Sequence, residues 1–194
     1  MKLKQIYLLI LRVIVILIGL ESHAEEYKSP IYPQYVAEIT RAFSKQMKKE
    51  FNLECEGNGG CMPYDVEEIS IDFVSYQRAT VEQARELEVL VTEKFVQMIN
   101  AHEKIKPFLR ESPFPASRTC VGISFCKKNN KPYIDGSVAH VTHINSRIYY
   151  CAEDPDNQYV YKDINNELYE DARKTVSKDI LKSPQQKAKN LPEL

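Results

Sequence analysis

Residues 67–100 read EEISIDFVSYQRATVEQARELEVLVTEKFVQMIN, and this stretch sets the fold class. Its first part alternates. Ile69, Ile71 and Phe73 fall on one side, and Ser70, Asp72, Val74 and Tyr76 on the other. A period of two with one apolar face predicts a strand over 67–76 with one side buried. The period then changes. Thr80 and Gln83 have the spacing of a capping box. Ala84, Leu87, Val91, Phe95 and Met98, continued by Val81 and Ile99, form a stripe at helical spacing that should end near 100–102.

Before this unit, residues 34–51 predict a helix, with Val36, Ile39, Phe43, Met47 and Phe51 on one face. The Gly-rich segment 56–60 predicts a loop. After it, residues 103–118 (EKIKPFLRESPFPASR) carry three prolines and no period, so they predict a long ordered loop or a short 3₁₀ turn. Its apolar members Ile105, Phe108, Leu109 and Phe114 should pack on the core, and exposure of Phe108 and Phe114 would make them a docking patch. A second strand is expected over 119–127. Val121, Ile123 and Phe125 face the core, with Cys120, Gly122, Ser124 and Cys126 opposite. Turn signals follow at Asn129-Asn130 and Asp135-Gly136. Residues 137–144 and 147–152 predict a hairpin through Asn145-Ser146. Residues 163–180 predict a last helix carrying Leu168, Ala172, Val176 and Ile180. The polar segment 182–194 predicts a disordered tail.

The expected architecture is an α+β two-layer sandwich over 34–181, with about four mostly antiparallel strands covered on one face by about three helices. The first two strands could be parallel through a right-handed crossover or antiparallel through the long loop.

The first 24 residues address the compartment. Lys2 and Lys4 precede an apolar run from Ile6 to Leu20, and Ser22-His23-Ala24 closes it with small residues. That is the layout of a secretory signal peptide over 1–24, followed by a linker at 25–33. Arg12 would cost a spanning helix roughly 2.5–3.5 kcal/mol, which favours cleavage after Ala24 over retention of residues 6–20 as an inner-membrane anchor. The expectation is a periplasmic or secreted protein that meets a membrane only through this segment if it is uncleaved.

Cleavage would take the formal charge from −1 to −3, with 23 basic residues against 26 acidic. An acidic, mixed surface has no electrostatic reason to bind nucleic acid. Five cysteines in an exported chain suggest disulfides. Cys120 and Cys126 should lie on one strand about 20 Å apart, beyond reach of each other. Cys55–Cys61 across the glycines is the first candidate pair and Cys126–Cys151 the second. With no CxxC and wide spacings, no metal site or cofactor is expected.

Catalytic motifs miss. Gly122-Ile123-Ser124-Phe125-Cys126 starts like a nucleophile elbow but lacks the closing glycine and leads to no helix. His102-Glu103 starts like a zincin, but Lys106 stands where the second histidine belongs. His140 and His143 are three apart on a strand and should point to opposite faces. What remains is the sheet face away from the helices. Parity places Ser70, Asp72, Tyr76, Ser124, Cys126, Tyr149 and Cys151 there, with either His140 or His143. A second candidate is an anion site at the start of the capped helix, assisted by Arg78 and Tyr76.

The runs Ser75-Tyr76-Gln77-Arg78-Ala79-Thr80, Asn100-Ala101-His102-Glu103-Lys104-Ile105-Lys106-Pro107-Phe108-Leu109 and Ile123-Ser124-Phe125 resemble a family of uncharacterised exported proteins of chlamydia-like and legionella-like intracellular bacteria. The resemblance covers roughly residues 65–180. It implies export and one small domain, and brings no active site. The expected function is a non-catalytic module that binds a protein or an envelope component. The alternatives are a small hydrolase or thiol enzyme using the open sheet face, or a membrane-tethered scaffold.

Overall fold

A computed structural model describes residues 30–176. The signal segment, most of the linker, the end of the last predicted helix and the tail lie outside the described residues.

The element order is α1 (Tyr32–Phe51), β1 (Glu54–Cys61), β2 (Glu68–Ser75), α2 (Val81–Ala101), β3 (Thr119–Phe125), β4 (His140–Ile144), β5 (Arg147–Asp154), β6 (Asn157–Leu168) and α3 (Tyr169–Thr175). The six strands form one sheet in chain order. Every pairing is antiparallel except β2 with β3, which is parallel. A parallel pair needs a long connection, and α2 with the loop after it supplies one. The helices share one face of the sheet: α1 packs on β1, α2 on β3 and β4, and α3 on β5 and β6, with α2 touching both other helices. The class is therefore α+β with a mostly antiparallel sheet and three helices among the described residues.

The local signals explain most elements. The Thr80 hydroxyl accepts the Gln83 amide N–H, and the Gln83 side chain accepts the Thr80 N–H, completing the capping box. Asn145 and Ser146 both have positive φ, 51° and 63°, as a tight two-residue hairpin requires. Helix α1 starts at Tyr32, so Pro33 lies in its first turn, where its missing N–H costs nothing. Phe43 stacks on Phe95 at 4.7 Å and meets Phe73 edge-on at 6.0 Å, joining both helices to the sheet.

Two strands exceed the expected four. The glycine segment is strand β1, laddered to β2 from Glu54 opposite Val74 to Cys61 opposite Glu68, with a bulge between Cys55 and Gly57. Its glycines permit close approach: a Cβ on Gly60 (φ 150°) would strike the Glu68 carbonyl. Strand β6 occupies a stretch expected to be loop and helix. The stripe predicted for the last helix survives only in part. Ala172 and Val176 are buried beside Tyr169, whereas Leu168 ends the strand and is exposed.

The disulfide expectations are corrected by the same topology. All five cysteines are free thiols. Cys55 and Cys61 stand at opposite ends of β1, roughly 20 Å apart at strand rise, which is the argument that separated Cys120 from Cys126. Cys126 follows β3 and Cys151 lies on β5, with β4 between them. Two strand spacings are roughly 9–10 Å, too far for a bridge.

The 102–118 loop is pinned to the core. Phe114 is buried, and half-buried Phe108 packs on the rings of Tyr32 and Tyr35. The loop packs on the core as its apolar residues predict, so Phe108 and Phe114 form no exposed docking patch.

Candidate functional site on the open sheet face

The face away from the helices is built in rows by the strand register. One row runs Asp72, Gly122, Thr142, Tyr149, Asn166 across β2 to β6. The next runs Val74, Ser124, His140, Cys151, Asp163. The parity of β2, β3 and β5 seen in the sequence thus places Asp72, Ser124, Tyr149 and Cys151 together.

The two histidines divide as the strand period requires. His140 is the one on the open face. His143 is fully buried on the helix side, its ring 4.4 Å from that of Tyr169, so it leaves the candidate site. The Ser124 hydroxyl and His140 Nδ1 share a hydrogen bond of 3.2 Å. The His140 ring lies parallel to that of Tyr161, with centroids 5.9 Å apart and planes 11° apart. Asp72 sits on the other flank. The atom between them is the bare Cα of Gly122. A Cβ there would collide with the Asp72 carboxylate and come to 3.3 Å from His140 Cε1. Gly122 is thus what lets carboxylate and imidazole stand side by side.

The electrostatics of this pair are unusual. Asp72 has no hydrogen-bond or ion-pair partner among the described residues. Desolvation on the sheet face raises its pKa above the usual carboxylate value, and nearby His140 partly offsets the shift. Desolvation likewise lowers the His140 pKa below 6.5, opposed by Asp72. The neutral imidazole can therefore donate from one nitrogen and accept at the other near neutral pH.

The thiols of this face are poorly suited to nucleophilic work. Burial is the main cause in each case. It pushes Cys120 and Cys151 up to about 11, with neighbouring carboxylates adding to it, and raises Cys126 as well. A reactive cysteine needs the opposite shift. Cys151 instead donates to Asp163 Oδ1 at 3.3 Å.

The second candidate does not assemble. The capping box takes up the start of α2. Arg78 pairs with Asp135 at 3.0 Å, and the Tyr76 hydroxyl donates to Glu54 at 3.4 Å. These contacts lie at the ends of β1 and β2 and at the 135–137 turn.

Tyr161 and Asp163 are members of the face that the sequence did not disclose. Both belong to β6, and the one signal for them is the aromatic and β-branched pair Val160-Tyr161. Among the described residues no helix is long and apolar enough to cross a membrane. Compared with known proteins, the chain matches no family model, no curated protein and no solved structure.

Proposed function

We propose that the protein is an exported binding module that engages a protein or envelope component through the open sheet face, with no chemistry of its own. The observation that carries this reading is the group Asp72, Ser124 and His140 gathered around Gly122 beneath Tyr161. Desolvation on this face shifts Asp72 and His140 each against its charged form, and such perturbed groups cluster where a ligand is met. Tyr161 adds an exposed aromatic face, and Tyr149 lies one row away.

Export rests on the basic, apolar and small-residue order of residues 1–24 and on the family resemblance. The N-terminal mass of protein recovered from its own envelope tests it. A chain starting at Glu25 supports export, and a full-length chain supports the tethered scaffold.

The binding reading is tested by placing a photo-crosslinking residue at Tyr149 in the whole protein in its cells, with Gln97 on the exposed side of α2 as control. A discrete adduct from position 149, absent from 97 and weakened by Asp72→Ala and Tyr161→Ala at equal protein level, supports it. Adducts indifferent to both substitutions reject it.

A second reading has one specific observation in its favour. The 3.2 Å contact from Ser124 to His140 is the geometry of a hydroxyl facing its general base. The chemistry would be acyl transfer, with Asp72 supporting the imidazolium. Labelling of Ser124 by a fluorophosphonate, lost in His140→Ala, would replace the binding reading with the enzymatic one.

A further inference from the structure

The core between α2, β4 and α3 holds two ionisable side chains sealed from solvent. Glu88 lies in the middle of the buried face of α2, and His143 projects from β4 between Val121 and Ile148 of the adjoining strands. Neither ring nitrogen of His143 has a hydrogen-bond partner among the described residues, and one carboxyl oxygen of Glu88 lacks one as well. The other Glu88 oxygen accepts the Thr92 hydroxyl at 3.4 Å, and the His143 backbone N–H points at the same carboxyl. Tyr169 of α3 closes the chamber over the His143 ring.

The charged groups nearby are already engaged. On α2, Arg85 holds Glu167 of β6 at 2.7 Å, and Glu93 takes Arg173 of α3 at 2.7 Å and the Tyr169 hydroxyl at 2.9 Å. Tyr150 of β5 donates to Glu167. Asp72 and Cys120 act on Glu88 only through the sheet, and Asp72 makes a negative Glu88 worse. No cation among the described residues pairs with Glu88.

We propose that Glu88 and His143 together hold one proton in the core, making the seating of α2 and α3 on the sheet strongest at mildly acid pH and weaker at neutral pH and above. With one proton on the pair, the chamber contains a carboxylic acid and a neutral imidazole and carries no net charge. With none, it contains an unpaired carboxylate; with two, an unpaired imidazolium. Either is costly in an apolar core.

The linkage follows from burial, which raises Glu88 well above 4.5 and lowers His143 from 6.5 to about 4. With Glu88 protonated in the fold through pH 6.5, as the shared proton requires, the unfolded and the folded chain each carry one proton on these two groups between 4.5 and 6.5, on His143 and on Glu88 respectively. Stability is flat there. Above 6.5 the unfolded chain carries none while the folded chain keeps one. The folded-to-unfolded ratio then falls up to about tenfold per pH unit until Glu88 ionises in the fold. Below 4.5 the unfolded chain carries two, and stability falls again.

The test is urea denaturation of the whole protein from pH 4.5 to 8.5, read as the difference between wild type and each variant, so that Asp72 and His140 cancel. Glu88→Gln should abolish the fall above 6.5. His143→Phe should move the start of the fall from about 6.5 to about 4.5, because its unfolded chain no longer holds a proton in between. A wild-type fall that persists in Glu88→Gln, or an onset unmoved in His143→Phe, overturns the proposal. If either variant fails to fold, carbon NMR of the wild-type Glu88 carboxyl decides. A protonated carboxyl at pH 7 upholds the shared proton, and an ionised one refutes it.

Discussion

Asn100 hydrogen-bonds both backbone groups of Phe114. Its Nδ2 donates to the Phe114 carbonyl at 2.9 Å, and its Oδ1 accepts the Phe114 N–H at 2.7 Å. One side chain at the end of α2 thus stands in for a strand partner and holds the loop so that the Phe114 ring is buried. Asn100→Ala would strand two inward-facing backbone groups at about 1–3 kcal/mol each. The expected loss is about 2–4 kcal/mol in urea denaturation, with new proteolytic cleavage between 103 and 118. Unchanged stability and cleavage would show that the loop is held by its apolar side chains alone.

The His140 imidazole should titrate below 6.5 by NMR, because burial disfavours its charged form. Its contribution to stability is then complete above 6.5 and is lost as pH falls below that value, where the unfolded chain binds the proton first. Asp72→Asn removes the carboxylate that favours the imidazolium, so it should lower the His140 value further. A value that does not fall would mean that Asp72 does not act on the ring.

Gly122→Ala gives an independent check on the same geometry. Asp72 is exposed and short, so it can swing away from a new Cβ. The stability cost should be modest, about 1 kcal/mol. The displaced carboxylate should lower the His140 titration in the direction of Asp72→Asn. Adding Gly122→Ala to Asp72→Asn should then do little more to His140. Full additivity would sink the idea that Gly122 exists for this pair.

Tyr150 and Arg85 meet on one oxygen, Glu167 Oε1, at 2.5 and 2.7 Å. The three residues come from β5, α2 and β6, and so tie the edge strand to the helix layer. Tyr150→Phe leaves the ion pair and should cost about 1–2 kcal/mol. Glu167→Ala leaves both partners unsatisfied in a mostly buried place and should cost more, about 2–4 kcal/mol. Thermal or urea melts that reverse this order would show that Arg85 is well solvated without its partner.

The sequence disclosed the elements whose two faces differ chemically. Strand β2, strand β3, the β4–β5 hairpin and the capped helix each bury one face and expose the other, and periodicity records that contrast. Strand β1 was hidden because its partner, not its residues, makes it a strand. Glycine carries no side chain to alternate, and the ladder to β2 outweighs its low strand preference. Strand β6 was hidden because it is an edge strand. Val160, Tyr161, Ile164 and Leu168 are all exposed, so no buried face marks a period. Part of the open-face group was therefore legible. Asp72, Ser124 and Tyr149 follow from parity. His140 required the register to separate it from His143, and Tyr161 required β6. Glu88 had a signal that was passed over: it lies on the Ala84, Val91, Phe95 and Ile99 face of α2, four residues after Ala84, where an apolar residue belongs.

The single parallel pairing has a kinetic consequence. It divides the chain into a β1–β2 hairpin and a β3–β6 meander, each assembled from contacts close in sequence. Their seam closes only across α2 and the loop beyond it, and the entropy of that closure should make the seam the slow event of folding. Asp72 belongs to the first half, and Gly122, Ser124, His140 and Tyr161 to the second. No half-formed chain can present the five together. A partner that recognises this face therefore selects molecules whose folding is finished, and the rate at which binding competence appears after dilution from urea should match the slowest folding phase.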